Sequence, residues 1–285
     1  MQEQVKAPAP EQTSYSEEIL SGMAINQAPY KIVTCGISDV GLVRQNNEDA
    51  WKELPNIGFY VLADGMGGHQ AGEVAAKEAV ETLCRVLKRK FPSIKHASIE
   101  DVADLISKAI VHVNKVIYKM GRSSSDLRGM GTTLCCLFFH RDGVIIGHVG
   151  DSRIYRLRGR RFDQMTRDHS LLCELIDQGQ LNEQQATDFL YKNIITKAVG
   201  TEPLVEPTVE TKKVLPGDVY LMCSDGLSDL LSDEEMVSIL ESAPSQESAA
   251  KNLVTHAIER GGRDNITVVI TKIEGKNASK GISRQ

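Results

Sequence analysis

Four aspartates in this chain each lie beside an apolar run of the kind that forms a β-strand. They are Asp64 after residues 58–63, Asp151 after 144–150, Asp225 after 219–224 and Asp264 before 266–270. Because strand ends gather at the edges of a sheet, carboxylates from four distant stretches can meet there. Clustered carboxylates repel one another and lose hydration, and all-oxygen ligand sets select hard divalent cations. The pattern therefore predicts a site for Mg2+ or Mn2+.

Composition restricts the kind of protein that carries this site. The 285 residues are 41% hydrophobic and 25% charged, which is ordinary for a soluble globular protein. A formal net charge of -5 argues against a nucleic-acid-binding surface, which usually needs a basic patch. The N-terminus lacks the segments of a signal peptide, and no stretch is apolar and long enough to span a bilayer. We expect a cytoplasmic monomer without a membrane or nucleic-acid partner.

Composition and periodicity divide the chain into three parts. Residues 1–28 are rich in Gln, Glu, Ala, Ser and Pro with little periodicity, which predicts a flexible leader. Residues 29–274 contain the strand-like and helical segments, and we expect them to form one domain. Residues 275–285 are a polar tail.

Within this domain the segments predict a mixed fold. A helical period after Asp64 and another over residues 99–120 indicate two long helices. The apolar runs 132–139, 144–149 and 154–157, separated by turn signals, predict a meander of antiparallel strands. Strands and helices that are grouped rather than strictly alternating favour an α+β fold, with two sheets packed face to face and helices outside.

The segment at about residues 166–206 has the pattern of short helices. Gly179 suits the end of one helix, and Asn182 with Gln185 resembles a capping box that opens the next. We expect this segment to form a movable flap, although covering a sheet edge would explain it equally well.

The segment Asp64-Gly65-Met66-Gly67-Gly68-His69 places a carboxylate at a strand end before three glycines. Glycine allows tight turning and lets backbone carbonyls approach an ion. A plain glycine turn before a helix would also explain it. The other aspartates recur in the same context, which favours the functional interpretation.

The segment 43–50 places the guanidinium of Arg44 near the carboxylates of Glu48 and Asp49. Taken alone, this is the pattern of a surface ion pair. The planar fork of arginine suits phosphate oxygens, so the functional interpretation makes Arg44 the anchor of a substrate phosphate. Glu48 and Asp49 would then lie behind the metal ligands and orient metal-bound water.

The order of these motifs resembles that of the bacterial type 2C, metal-dependent (PPM-type) protein phosphatases. The segments that carry the resemblance are Arg44 with Asn47-Glu48-Asp49, Asp64-Gly65-Met66-Gly67-Gly68-His69, Gly131-Thr132-Thr133, Gly150-Asp151-Ser152-Arg153, Asp168-His169-Ser170, Ser224-Asp225-Gly226 and Asp264-Asn265. Each is also ordinary turn or cap chemistry, but their order over nearly residues 30–272 argues against chance. The resemblance implies a four-layer α-β-β-α sandwich with two central antiparallel sheets flanked by helices.

The resemblance also implies roles for the carboxylates. Asp64 would bridge two metal ions, with the Gly65 carbonyl on one ion and Asp225 and Asp264 on the other. Asp151, with Asp225, matches the position of a third, weaker metal. Two divalent ions lower the pKa of a shared water, which would attack phosphorus directly and in line. No cysteine has the surroundings of a phosphatase thiolate, so no phosphoenzyme is expected.

One departure from the eukaryotic pattern leaves the general acid open. Eukaryotic relatives carry a histidine two residues after the bridging aspartate, where it is proposed to protonate the leaving oxygen. Met66 occupies that position here. The alternatives are His69, which packing at a helix start explains as well, and a metal-bound water.

The implied activity is a Mn2+ or Mg2+ dependent hydrolysis of phosphoserine and phosphothreonine on proteins, opposing a bacterial Ser/Thr kinase. The flap, with its tip near residues 186–190, would set selectivity. Two rival classes are a catalytically inactive scaffold and a metal-dependent hydrolase of nucleotides or nucleic acid. The intact set of Asp64, Asp151, Asp225 and Asp264 argues against the scaffold, and the acidic balance argues against the nucleic-acid enzyme.

Overall fold

The computed structural model describes residues 30–67, 71–182, 185, 189, 191 and 194–275. The predicted leader and residues 276–285 of the predicted tail lie outside the described residues, as do Gly68, His69 and most of the predicted flap tip.

The secondary structure is a mixture of strands and helices. The strands are β1 (Tyr30–Asp39), β2 (Asp49–Leu54), β3 (Phe59–Met66), β4 (Gly131–Thr132), β5 (Leu134–His140), β6 (Gly143–Val149), β7 (Arg153–Arg158), β8 (Arg161–Gln164), β9 (Thr208–Lys212), β10 (Val219–Cys223) and β11 (Ile266–Gly275). The helices are α1 (Ala71–Ile94), α2 (Ile99–Ser123), α3 (Leu171–Asp177), α4 (Asp225–Ser228), α5 (Asp233–Ser242) and α6 (Gln246–Glu259).

The strands form two antiparallel sheets. The first has the order β1-β11-β10-β7-β8, and the second has the order β2-β3-β5-β6-β9, with β4 paired to β3. Aromatic side chains from both sheets fill the space between them. The ring of Phe139 lies 5.8 Å from that of Tyr60 and 5.5 Å from that of Tyr220, both edge to face.

Helices cover the outer face of each sheet. α1 and α2 bury an apolar stripe against the second sheet, including Leu83, Leu87 and Ile110. α5 and α6 pack on the first sheet through residues such as Met236 and Leu253. The predicted α+β fold, with two central antiparallel sheets flanked by helices, is confirmed.

Local sequence signals explain several helix ends. α5 begins with a capping box: the Ser232 hydroxyl accepts a bond from the Glu235 N–H, and the Glu235 carboxylate accepts one from the Ser232 N–H. α3 ends before Gly179, whose φ of 68° is in the left-handed region that glycine adopts without strain. No helix among the described residues is long and apolar enough to cross a membrane.

The predicted meander is wrong at one connection. β5 and β6 form the expected hairpin, but β7 pairs with β10 and β8 in the other sheet. Residues 150–152 therefore carry the chain from one sheet to the other. Local turn chemistry is the same for a hairpin and for such a crossing, so the sequence pattern did not distinguish them.

Candidate metal centre

The strand ends that carry the predicted aspartates converge at one end of the sandwich. Asp64 lies in β3 directly opposite Asp49 of β2. β3 extends to Met66, two residues beyond the aspartate that was predicted to end the strand. Asp151 follows β6, Asp225 begins α4 just after β10, and Asp264 precedes β11. The carboxylates of Asp49, Asp225, Asp151 and Asp264 all act electrostatically on Asp64.

Burial and mutual repulsion disfavour the charged forms of these carboxylates. Burial, with a smaller contribution from the nearby Asp225 charge, raises the pKa of Asp49 and of Asp151 to about 7. Burial, followed by the charge of Asp264, raises the pKa of Asp225 to about 6, while a hydrogen bond with Asp64 opposes the rise. The pKa of Asp64 is raised well above its ordinary value, first by burial and then by Asp49.

Arg44 reaches the same place from the loop between β1 and β2. Its Nη2 donates to Asp264 Oδ2 at 2.7 Å, and both side chains remain accessible, at 51% and 36%. The hydrogen bond to Asp264 raises the pKa of Arg44. Glu48 lies close enough for its own pKa to be lowered by Arg44, although burial raises it overall.

Hydroxyl and amide side chains fix the segments that carry the carboxylates. The Asp64 N–H donates to Thr133 Oγ1 at 2.9 Å, and the Thr133 hydroxyl lies 2.7 Å from that of Ser152, next to Asp151. The Ser224 hydroxyl donates to Asp49 Oδ2 at 2.8 Å. These bonds join β3 to the β6–β7 crossing and β2 to the end of β10.

Asn265 attaches the Arg44 loop to the start of β11. Its amide nitrogen donates to the carbonyls of Val40 at 3.0 Å and Asn46 at 2.9 Å, and its oxygen accepts from the Glu48 N–H at 2.8 Å. The sequence motifs contained Thr133, Ser152, Ser224 and Asn265 but gave them no role. These contacts depend on register between distant strands, so only their position beside the aspartates could have signalled them.

Gly65 permits a close approach that no other residue allows. A Cβ at this position would lie 2.1 Å from the Gly72 carbonyl oxygen and 2.7 Å from that of Glu48. Its N–H donates to the Glu48 carbonyl at 3.0 Å. The predicted glycine turn therefore also brings the start of α1 against the carboxylate site. Met66 ends β3, and His69 lies outside the described residues.

The root of the predicted flap is attached to the segment that carries Asp151. Arg153 binds Asp168 with two nitrogens, at 2.9 and 2.7 Å, and the Asp168 carboxylate is only 9% exposed. The His169 N–H donates to the Gly150 carbonyl, and the Gly150 N–H donates back to His169 Nδ1 at 3.1 Å. A cavity of about 200 Å3 between flap root and α4 contains Asp151 and Asp225.

The donor set fits a hard divalent cation. It consists of carboxylate oxygens, and Asp49 Oδ1 is buried without a hydrogen-bond partner. Cations would offset the burial and the mutual repulsion that raise these pKa values. As they stand, no three His, Cys, Asp or Glu side chains within the described part of the chain have the geometry to hold one ion. Asp264 instead contacts Arg44 and the Asn265 N–H.

Comparison with known proteins identifies the family. The family model for Protein phosphatase 2C matches residues 39–259. The serine/threonine phosphatase stp of Listeria monocytogenes is 36% identical over 249 residues, which are 85% of this chain and 98% of the relative.

Solved structures agree with this assignment. The crystal structure of the serine/threonine phosphatase Stp1 from Staphylococcus aureus has a TM-score of 0.79 at 32% identity and covers 89% of this chain and 98% of that one. The catalytic domain of the phosphatase PstP, in complex with 2 manganese ions, has a TM-score of 0.74 at 34% identity and covers 85% and 98%. The chain therefore belongs to the protein phosphatase 2C family of serine/threonine phosphatases, as its motif order predicted.

Proposed function

We propose that this enzyme hydrolyses phosphoserine and phosphothreonine in proteins with the help of two divalent cations, Mn2+ or Mg2+, and that a third can bind nearby. The observation that carries the proposal is the convergence of Asp49, Asp64, Asp225 and Asp264 beside an accessible Arg44. The bound manganese of the similar PstP catalytic domain supports the choice of ion.

The proposed ligands follow from position. Asp64, the Gly65 carbonyl, Asp225 and Asp264 would hold the two main ions, and Asp151 with Asp225 would hold the third. When bound, the ions supply an activated water and stabilise the charge that develops on phosphorus during in-line attack.

The protein's own groups bind and orient the substrate. Arg44 has one hydrogen bond to Asp264 and half of its side chain in solvent, so phosphate oxygens can become its partners. Asp49 and Glu48 are held in place by Ser224 and Asn265 and keep the surroundings of the ligands fixed.

The three buried cysteines of β5 and β10 support direct attack over a covalent phosphoenzyme. Burial raises the pKa of Cys136 and Cys223 to about 12, and it raises the pKa of Cys135 well above its ordinary value. Thiols of this kind stay protonated at neutral pH and do not act as nucleophiles. We further propose that the enzyme acts as a cytoplasmic monomer on the substrates of a bacterial Ser/Thr kinase. Its similarity to bacterial serine/threonine phosphatases supports the link to a kinase.

The test is phosphate release from a phosphothreonine peptide during titration with Mn2+ and with Mg2+. We expect activity to rise with either ion and to stop with chelator. Calorimetry should show Mn2+ binding that Asp64→Asn weakens and the exposed control Asp142→Asn, on the β5–β6 hairpin, does not. Full activity in chelator, or unchanged Mn2+ binding by Asp64→Asn, would contradict the proposal.

A further inference from the structure

A groove of about 810 Å3 runs along the free edge of β2. β2 is the last strand of its sheet and pairs only with β3 among the described strands. The consecutive residues Asp49, Ala50 and Trp51 line the groove, although neighbouring side chains of a strand point to opposite faces. The groove therefore follows the backbone edge of β2 that no described strand covers, although the N–H of Asp49 at the start of this edge is already bonded to Asn47 Oδ1.

The groove is continuous with the candidate metal centre. Asp49, at its inner end, pairs in register with Asp64. The loop that forms one wall follows Arg44 directly and contributes Gln45 and Asn46. A phosphorylated residue bound at Arg44 therefore has its neighbouring residues at the mouth of the groove.

Ion pairs balance the charges along the opposite wall. α1 lines the groove with Glu73, Lys77, Val80 and Glu81. Lys77 Nζ lies 2.6 Å from Glu73 Oε1, and Lys52 Nζ lies 2.5 Å from Glu81 Oε1. Once Lys52 of β2 is counted with the residues of α1, two lysines balance two glutamates, so this side of the groove has little charge with which to select acidic or basic neighbours of the phosphorylated residue.

The loop wall offers free amide groups. The Asn47 side chain is occupied, since its Nδ2 donates to Ser38 Oγ at 2.8 Å and its Oδ1 accepts from the Asp49 N–H at 3.1 Å. The exposed side-chain amides of Gln45 and Asn46 have no such bond to any described residue. Each amide pairs a donor with an acceptor, which is the complement of a peptide bond.

Trp51 gives the groove a fixed apolar surface. Its ring lies so close to Gly36 of β1 that a Cβ there would come within 2.5 Å of the ring. The ring is half-buried, and Val80 lies across the groove. Trp51 is also the only tryptophan of the chain, so tryptophan fluorescence comes from one side chain, which lines this groove.

We propose that this groove binds the extended, uncharged segment on one side of the phosphorylated residue of a protein substrate. The segment adds to the edge of β2 through backbone hydrogen bonds, assisted by Gln45 and Asn46, and places an apolar side chain near Trp51. The inference rests on the proposed phosphatase activity and deepens it by assigning a class of substrate sequence.

The first test compares a phosphothreonine peptide that has uncharged flanks with p-nitrophenyl phosphate, which has none. In the double variant Gln45→Ala, Asn46→Ala we expect kcat/KM for the peptide to fall by roughly tenfold, from the loss of two hydrogen bonds. The rate with p-nitrophenyl phosphate should not change. The control variant Gln246→Ala, Asn252→Ala, on the outer helix α6, should match the native enzyme with both substrates.

The outcomes separate the two proposals. A native enzyme that is inactive on both substrates with metal would contradict the phosphatase assignment. If the native enzyme is active, two results would contradict the proposed role of the groove. One is that the double variant leaves the rate with the peptide unchanged, and the other is that it lowers the rates with both substrates equally.

A second test uses the unaltered chain and N-methylated peptides. Methylation removes a backbone donor, so we expect it to lower kcat/KM on one flank of the phosphothreonine and not on the other. The unmethylated peptide should also shift Trp51 fluorescence in the presence of metal, whereas inorganic phosphate should not. Equal effects of methylation on both flanks, or an unchanged fluorescence of Trp51, would contradict the proposal that the groove binds one flank of the substrate.

Discussion

The carboxylate end of the sandwich and the core between its sheets make opposite contributions to the stability of the fold. At the carboxylate end, Asp49, Asp64, Asp151 and Asp225 are held where burial and repulsion disfavour their charged forms. Between the sheets, the buried cluster is composed of apolar and aromatic side chains in mutual contact. One region stores unfavourable free energy that a ligand can relieve, while the other supplies the stability that permits it.

The difference predicts that the two regions respond to substitution in opposite ways. Changes at the carboxylate end should reduce activity and leave stability unchanged or raised. Changes in the core should reduce stability and leave the activity of each folded molecule unchanged.

The largest effect is expected for Asp225→Asn. Losing one carboxylate of the proposed metal set should lower kcat/KM by at least about a thousandfold. In chelator the variant should melt at the same temperature as the native protein or higher. The pKa of Asp225 is raised to about 6, so its charge near pH 7 opposes folding. Steady-state kinetics and thermal melts in chelator measure both effects. Activity like that of the native enzyme, or a markedly lower melting temperature, would break the comparison.

Leu83→Ala tests the opposite half of the contrast in the layer between α1 and the second sheet, which is built, like the core between the sheets, from buried apolar side chains. Leu83 of α1 is fully buried against the second sheet, so its truncation should cost about 2–5 kcal/mol of unfolding free energy. Denaturant titration measures this loss, and kcat of the folded fraction should not change. Leu83→Met, which nearly conserves volume, should cost less than about 1.5 kcal/mol. A comparable loss of kcat in the Ala variant would show that core and site are coupled.

Arg44→Ala should weaken the binding of phosphate without affecting the fold. Charge-assisted hydrogen bonds contribute about 1.5–3 kcal/mol, which corresponds to a rise in KM of roughly ten- to a hundredfold. kcat should fall less if Arg44 holds ground and transition states equally. Because its ion pair with Asp264 is solvent-exposed, unfolding free energy should change by less than about 1 kcal/mol. An unchanged KM would remove Arg44 from the site.

The sequence predicted the parts of this contrast that depend on local pattern. An apolar run beside an aspartate located Asp64, Asp151, Asp225 and Asp264, and periodicity predicted α1 and α2. The short edge strands β2, β8 and β9 were not predicted. The sequence of β9, for example, has a single apolar residue in five, so it has no apolar run to recognise.

Other features were not predictable because they arise only when distant segments meet. Ser224 contacts Asp49 across 175 residues, and Asn265 contacts Glu48 across 217. The change of sheet at Gly150 to Ser152 has the same local sequence signals as a hairpin. Partners of this kind are set by strand register and sheet order, which one sequence does not specify without its fold.

The smallest effect is predicted for α5, which belongs neither to the carboxylate end nor to the core between the sheets. Ser232 caps α5, and its hydroxyl accepts the Glu235 N–H. Ser232→Ala should lower the unfolding free energy by about 1 kcal/mol and leave kcat and KM unchanged. The matched control is Ser242→Ala at the other end of the same helix, where the hydroxyl caps no N–H group, and it should change stability by less than about 0.5 kcal/mol. If Ser232→Ala altered KM as Arg44→Ala does, α5 would be coupled to the site, and stability and activity would not be divided between separate regions.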